Sequence, residues 1–249
     1  MYVLGTNCVD NSPTPEAAQD FVQNGVKVDD RQVLGYEFMQ DFRVHVKTDK
    51  DYVRKPYFTL PGSIAEASIA PSCQACFDYT NGLADVVVGY MGAPLNGNER
   101  MDQAFQTITV RNEVGARMVD TALSQNRLEL FGEAKGVGNH EKISMATVIK
   151  DSIVLKLIGE KVPEEGMPGW IGEIMATVMT TVGPKGVNFA RYSIDYHILR
   201  NYLHVLSVWG NKRAETSLPR YAQDIVNRYL ETDESFRKLC ERVQEGRKV

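Results

Sequence analysis

Cys73 and Cys76 are separated by two residues, which puts two thiols within about one turn of backbone, close enough to reach one metal centre. Three chemistries use this spacing: a thioredoxin-type dithiol, a zinc site and an iron–sulfur cluster. A thioredoxin motif follows a strand and opens a helix. Here Pro71 and Ser72 precede the pair, and Phe77-Asp-Tyr-Thr-Asn81 is a poor helix start. Zinc would ask for a second Cys or His pair, whereas His45, His140, His197 and His204 are scattered along the chain. Cys8 lies in a loop after a short apolar run, where it could join the pair as a third thiolate. Spacing alone leaves the bland reading open, in which Cys8 is a small buried residue and the Cys73–Cys76 spacing is incidental. Cys240, on a charged stretch near the end of the chain, reads as a structural or surface thiol.

Other candidates lie at the ends of expected strands and on one long helix. Gly89, Tyr90, Met91 and Gly92 close an apolar run, and glycines there permit either close backbone approach to a cofactor or a plain tight turn. Thr109, Arg111 and Asn112 end the next run, where an arginine can meet phosphate or carbonyl groups or simply finish a surface strand. Tyr192, Tyr196 and Arg200 fall on one helix face by their spacing of four. That face could line a pocket with Tyr196 and His197 as proton donors, His197 because imidazole titrates near neutrality. The alternative is a helix that packs through aromatic bodies and keeps its polar tips wet.

The elements that must position these groups are of mixed type. A short strand at Tyr2–Leu4 leads into the Cys8 loop. A helix follows with Thr14 as N-cap, Pro15 in its first turn and Gly25 at its end. Alternation from Gly35 to Lys47 predicts one strand, the polar turn 48–51 returns the chain, and Tyr52–Leu60 completes a hairpin. Ser63 and Glu66 fit a capping box. Strands are expected at Ala84–Met91 and Thr107–Arg111, and helices at Val114–Ser124, Lys142–Leu157, Ile171–Thr181, Val187–Val208, Pro219–Leu230 and Glu234–Val243. The fold class is α+β, a mixed β-sheet core with flanking helices and a helical C-terminal region. The expected division is into residues 1–135, an α+β region carrying Cys8, Cys73, Cys76 and the glycines of the Gly89–Gly92 turn, and residues 136–249, a helical C-terminal region.

A net charge of −4, from 28 basic and 32 acidic residues, argues against a general nucleic-acid binder. No segment offers the roughly 20 apolar residues needed to cross a bilayer. The stripe from Trp170 to Val182 is too short, carries Glu173 and reads as core. Plentiful core residues and one paired spacing among four cysteines favour a reducing compartment and metal or redox use.

Longer stretches sharpen the reading. Pro71-Ser-Cys-Gln-Ala-Cys-Phe-Asp-Tyr-Thr-Asn-Gly-Leu-Ala-Asp-Val-Val-Val-Gly-Tyr-Met-Gly92 closely resembles the family of 7-hydroxymethyl chlorophyll a reductases. So do Gly5-Thr-Asn-Cys-Val-Asp-Asn11, Tyr36-Glu-Phe-Met-Gln-Asp41, Ile108-Thr-Val-Arg-Asn-Glu113 and Gly183-Pro-Lys-Gly-Val-Asn-Phe-Ala-Arg-Tyr-Ser-Ile-Asp-Tyr-His197. That family includes ferredoxin-dependent divinyl chlorophyllide 8-vinyl reductases and is related to beta subunits of deazaflavin-reducing hydrogenases and dehydrogenases. The resemblance implies FAD and 4Fe-4S clusters that pass electrons from reduced ferredoxin to a tetrapyrrole. It implies Cys8, Cys73 and Cys76 as thiolate ligands of one cluster and favours flavin contact at Gly89–Gly92, Thr109, Arg111 and Asn112. The motifs do not separate a hydroxymethyl from a vinyl substrate. The resemblance also implies a preceding half that carries the other cluster and the fourth ligand of this one. The chain is expected to be a homo-oligomer or a partner to such a half, and the alternative reading is an inactive fragment or electron-transfer subunit that needs it. The expected location is the chloroplast, or in a cyanobacterium the cytoplasm or the thylakoid surface.

Overall fold

The computed structural model describes residues 1–95 and 100–246. In chain order its first elements are β1 (Leu4–Thr6), α1 (Pro15–Asp20), β2 (Val33–Phe38), β3 (Arg43–Thr48), β4 (Tyr52–Pro56), α2 (Gly62–Ala67), β5 (Val86–Gly89), β6 (Thr107–Val110) and α3 (Glu113–Ser124). Then come β7 (Gly136–Val137), α4 (His140–Val148), α5 (Ser152–Leu157), α6 (Gly169–Val182), β8 (Lys185–Gly186), α7 (Val187–Trp209), α8 (Asn211–Ser217), α9 (Arg220–Thr232) and α10 (Glu234–Gly246). The class is α+β, as the patterning predicts. The strands divide into three small sheets. In the first, β1 runs parallel to β5 and β6 antiparallel to it; in the second, β2, β3 and β4 form an antiparallel meander; the third is the short β7–β8 pair.

Local chemistry explains most of the boundaries. The Thr14 hydroxyl accepts from the Ala17 amide at 3.2 Å and Pro15 opens α1, as expected. The turn after β3 is closed by Thr48, whose Oγ1 accepts from the Asp51 amide at 2.6 Å. The single strand expected over Gly35–Lys47 is two. Phe42 adopts a left-handed conformation (φ 58°) and the Asp41 carboxylate accepts from the Arg43 amide, so the chain reverses between β2 and β3. The capping box at Ser63 does not form: α2 starts behind Pro61 with no side-chain cap. The helix expected over Lys142–Leu157 is also two, because Asp151 accepts from the Ile153 and Val154 amides and restarts the chain as α5.

The largest core surrounds α7, whose Ile198, Leu199, Leu203, Val205 and Leu206 are fully buried with residues of α4, α5, α9 and α10. A smaller core joins Phe21, Val22 and Val26 to Val44 and Val46 of β3. The expectation that the Trp170–Val182 stripe is core is corrected. α6 buries Gly172 and Ala176, while Trp170, Ile174, Val178 and Val182, spaced by four, stand exposed along one face. Among the described residues, no helix is long and apolar enough to cross a membrane.

Candidate functional site

The β1–α1 loop and the segment between α2 and β5 meet beside α7, and this meeting brings three cysteines together. Cys73–Ala75 form a single 3-10 turn, which Cys76 leaves in extended conformation. The Cys8 amide donates to the Tyr79 carbonyl at 3.2 Å, and Ala70 donates to the Asn11 carbonyl at 2.8 Å, so the two loops are stitched backbone to backbone. Asn11 touches two of the sulfurs: its side-chain amide lies 3.5 Å from the Cys8 Sγ, and its carbonyl 3.9 Å from the Cys73 Sγ. The Asp78 amide points at the Cys76 Sγ from 3.5 Å. Cys8 and Cys73 are half-buried and Cys76 is exposed; all three are free thiols. Burial pushes the Cys8 thiol up, and the neighbouring Cys73 and Cys76 push it further, which is the mutual repulsion expected of thiolates gathered without a cation.

Among the described residues no group of three His, Cys, Asp or Glu side chains is arranged to hold a single metal ion. A cubane cluster spreads its irons apart, so its thiolates are spaced more widely than ligands converging on one ion. Three thiols from two loops are gathered here, and N–H donors face two of them, the Cys8 and Cys76 sulfurs; hydrogen bonds of this kind stabilise a thiolate that is ligating iron. Cys240 belongs elsewhere: it is buried in the core around α7, and its thiol is pushed up to about 12 by burial. In the metal-free chain Cys76 is therefore expected to be alkylated first and Cys8 more slowly. Cys240 should come last, about a hundredfold slower than Cys76, until the fold is lost. Mass-resolved iodoacetamide labelling reads this order, and early loss of Cys240 would show that α10 is not docked.

Behind the thiols lies a buried polar layer contributed by α7. Arg200 forms a two-pronged ion pair with Asp10 at 2.9 and 2.8 Å, and Asn201 reaches the Cys73 and Cys76 carbonyls. Burial alone would raise the Asp10 carboxyl, but the His197 contact and the Arg200 charge outweigh it and hold it down at about 2. His197 keeps Nε2 3.5 Å from Asp10, while its Nδ1 donates to the Ser193 carbonyl. Tyr196 donates to the Asp151 carboxylate and lies under the Arg200 guanidinium. Both proton-donor candidates are thus packed behind the cysteines with their polar atoms engaged.

The other expected residues fall in two places: Gly89–Gly92 at the C-terminal end of β5, and Thr109, Arg111 and Asn112 along the antiparallel β6 toward the opposite end of β5, beside Val87 and Asp85. Gly89 packs against the Asn7 side chain, whose Oδ1 would stand 2.6 Å from a Cβ placed there, so a larger residue would turn that amide aside. Gly92 has φ +86°, and the Met91 carbonyl accepts from Thr107 at 2.8 Å. The Tyr90 carbonyl accepts from Gln40. Thr109 is exposed on β6, opposite Val87. The Arg111 guanidinium donates to the Thr80 carbonyl. Asn112 caps α3, accepting from the Gly115 amide at 2.9 Å and donating to Asp85. Thr80 and Tyr79 thus lie between this strand edge and the cysteines. Asp10, Asn11, Asp78 and Asn201 were not singled out by sequence reasoning. The available signal was the Arg200-Asn201 pair interrupting the apolar series Ile198, Leu199, Leu203 and Leu206.

Comparison with known proteins adds lineage to this geometry. Residues 1–135 match the family described as the C terminus of the coenzyme F420 hydrogenase/dehydrogenase beta subunit. The chain is 44% identical over 230 residues to the chloroplastic 7-hydroxymethyl chlorophyll a reductase of Oryza sativa subsp. japonica, covering 92% of the chain and 47% of that protein. It is 39% identical over 230 residues to an uncharacterized protein of Nostoc sp., covering 92% of the chain and 52% of that protein. The chain spans about half the length of the curated relatives it matches.

Proposed function

The chain belongs to the family formed by the C-terminal part of coenzyme F420 hydrogenase/dehydrogenase beta subunits, and from that premise we propose that it is the cluster-bearing portion of an oxidoreductase. The proposed reaction takes electrons from reduced ferredoxin through a 4Fe-4S cluster and FAD to 7-hydroxymethyl chlorophyll a, giving chlorophyll a. The observation that carries this reading is the convergence of Cys8, Cys73 and Cys76 on one place from loops 65 residues apart in sequence. The rice relative's name supports the substrate and a chloroplast location.

A flavin and a cluster bound here would supply the conversion of single electrons into the two-electron reduction that a hydroxymethyl group needs. The chain's own residues then divide the work. Cys8, Cys73 and Cys76 hold the cluster as thiolates, with the Asn11 side chain and the Asp78 amide steadying two of the sulfurs. The proposed flavin contacts are the turn Gly89, Tyr90, Met91, Gly92 at one end of β5 and Thr109, Arg111, Asn112 along β6 toward its other end, with Arg111 anchored on the Thr80 carbonyl beside the cysteine segment. Tyr196 and His197 act from behind the site as positioning groups, because their polar atoms already face Asp151, Ser193 and Asp10.

Product analysis tests the reading. The chain, reconstituted anaerobically with iron, sulfide and FAD and joined to the part of the rice relative that lies outside the match, is supplied with reduced ferredoxin and either pigment. Chlorophyll a formed from the hydroxymethyl substrate is the expected result. An ethyl product from a divinyl chlorophyllide would assign the 8-vinyl reductase activity instead, and no visible absorption that bleaches on reduction would remove the cluster altogether.

A further inference from the structure

Two consecutive side chains of α7 reach both cysteine loops. Arg200 donates through its two terminal nitrogens to Asp10, two residues beyond Cys8. Its Nε donates to the Asn201 Oδ1 at 3.0 Å, which turns the amide nitrogen of Asn201 the other way. That nitrogen faces the carbonyls of Cys73 at 2.6 Å and Cys76 at 2.8 Å and the Tyr79 hydroxyl at 2.7 Å, sharing its two hydrogens among the three oxygens. Tyr79 closes the ring, since its backbone carbonyl accepts from the Cys8 amide. Arg200 and Asn201 are 1% and 0% exposed, and their helix neighbours Ile198, Leu199 and Leu203 are fully buried core residues. Burying a guanidinium and an amide there is costly unless every polar atom is engaged, and an apolar pair of similar volume would avoid that cost. What the polar pair gives in return is a rigid link between segments about sixty residues apart. Both residues also lie beyond residues 1–135, the part matched to the family.

We propose that Arg200 and Asn201 form a clip that holds the Cys8 loop and the Cys73–Cys76 turn at one spacing, so that the three thiols stand in place before a cluster binds. Both are positioning residues, and the proposal rests on the cluster reading of those thiols. Its distinguishing feature is that Arg200 touches neither Cys73 nor Cys76, yet fixes the amide that holds their carbonyls.

Hydrogen exchange on the metal-free 249-residue chain tests this. Arg200→Lys is expected to speed exchange at least about tenfold in peptides carrying Cys8 and also in those carrying Cys73 and Cys76, with the β2–β4 sheet unchanged. Asn201→Ala does the same for the Cys73–Cys76 turn, and the double variant goes no further there than the worse single one, because the two side chains act through one bond. After reconstitution with iron and sulfide, the reduced variants should show a broadened or shifted EPR signal relative to wild type. Should Arg200→Lys not fold, Asp10→Asn on the partly exposed side of the same pair must loosen the Cys8 loop. An unchanged Cys73–Cys76 turn in Arg200→Lys, additive effects in the double variant, or an unchanged Cys8 loop in Asp10→Asn would overturn the clip. A wild-type chain that takes up no iron while the variants loosen as stated would sink the cluster reading and leave the clip standing.

Discussion

Truncating Phe236 to alanine is expected to cost about 3–5 kcal/mol of folding free energy, the range for a large aromatic removed from a core that cannot collapse. Phe236 is 0% exposed and sits at the start of α10, held there by the Asp233 side chain, which accepts from its amide at 3.0 Å. Its ring lies 6.2 Å from those of Tyr202 on α7 and Tyr229 on α9, so it joins three helices at one point. None of the three can move in to fill the space: α7 is pinned by its other contacts, and Tyr229 is tied through its hydroxyl to Asp195 at 2.8 Å. Urea unfolding followed by circular dichroism reads the loss as a lower midpoint at constant slope. Ile174→Ala, on the exposed face of α6, is the control and should change stability by less than about 0.5 kcal/mol. A Phe236→Ala loss below about 1 kcal/mol would mean that α10 is not docked as described.

The same helix junction shows why some of the fold could be read from sequence and some could not. Caps are local: Thr14, Pro15 and the polar turn at residues 48–51 announce themselves within four residues. The reversal at Phe42 was hidden for an arithmetic reason. Four residues separate Phe38 from Arg43, so the parity of the alternation carries through the turn. Tyr36 pairs with Val46 and Phe38 with Val44 on one face, just as they would share a face in a single strand. The break at Asp151 is invisible to patterning because the apolar residues on either side continue the helical spacing, and the capping bonds from Ile153 and Val154 interrupt it. The α6 stripe illustrates a different limit: periodicity tells which face is apolar and says nothing about whether any element covers it. At the site, the Cys73–Cys76 pair was visible as a motif. That Cys8 joins it depends on a parallel pairing of β1 with β5, and that Asn201 holds it depends on a contact across more than 120 residues. No local pattern encodes either.

Removing one thiol should separate the role of the cysteines from the stability of the fold. Cys73→Ala is expected to leave the chain folded and to reduce its reconstituted iron to below about a tenth of wild type, since a site of three protein thiolates cannot hold its cluster on two. The fold should tolerate the change because the Cys73 Sγ is half-buried and makes a long 3.9 Å hydrogen bond to the Asn11 carbonyl, whereas the turn itself is held through the Cys73 carbonyl by Asn201. Cys240→Ala should do the reverse. That side chain is buried among the core residues around α7, so its loss lowers the urea midpoint by the equivalent of about 1 kcal/mol, while iron content stays at the wild-type level. Iron and sulfide assays on both variants, beside their unfolding curves, read the two effects independently. Iron retained by Cys73→Ala would remove the three-thiol site. Iron lost from a folded Cys240→Ala chain would make Cys240 a ligand, which its place in the helical core otherwise precludes.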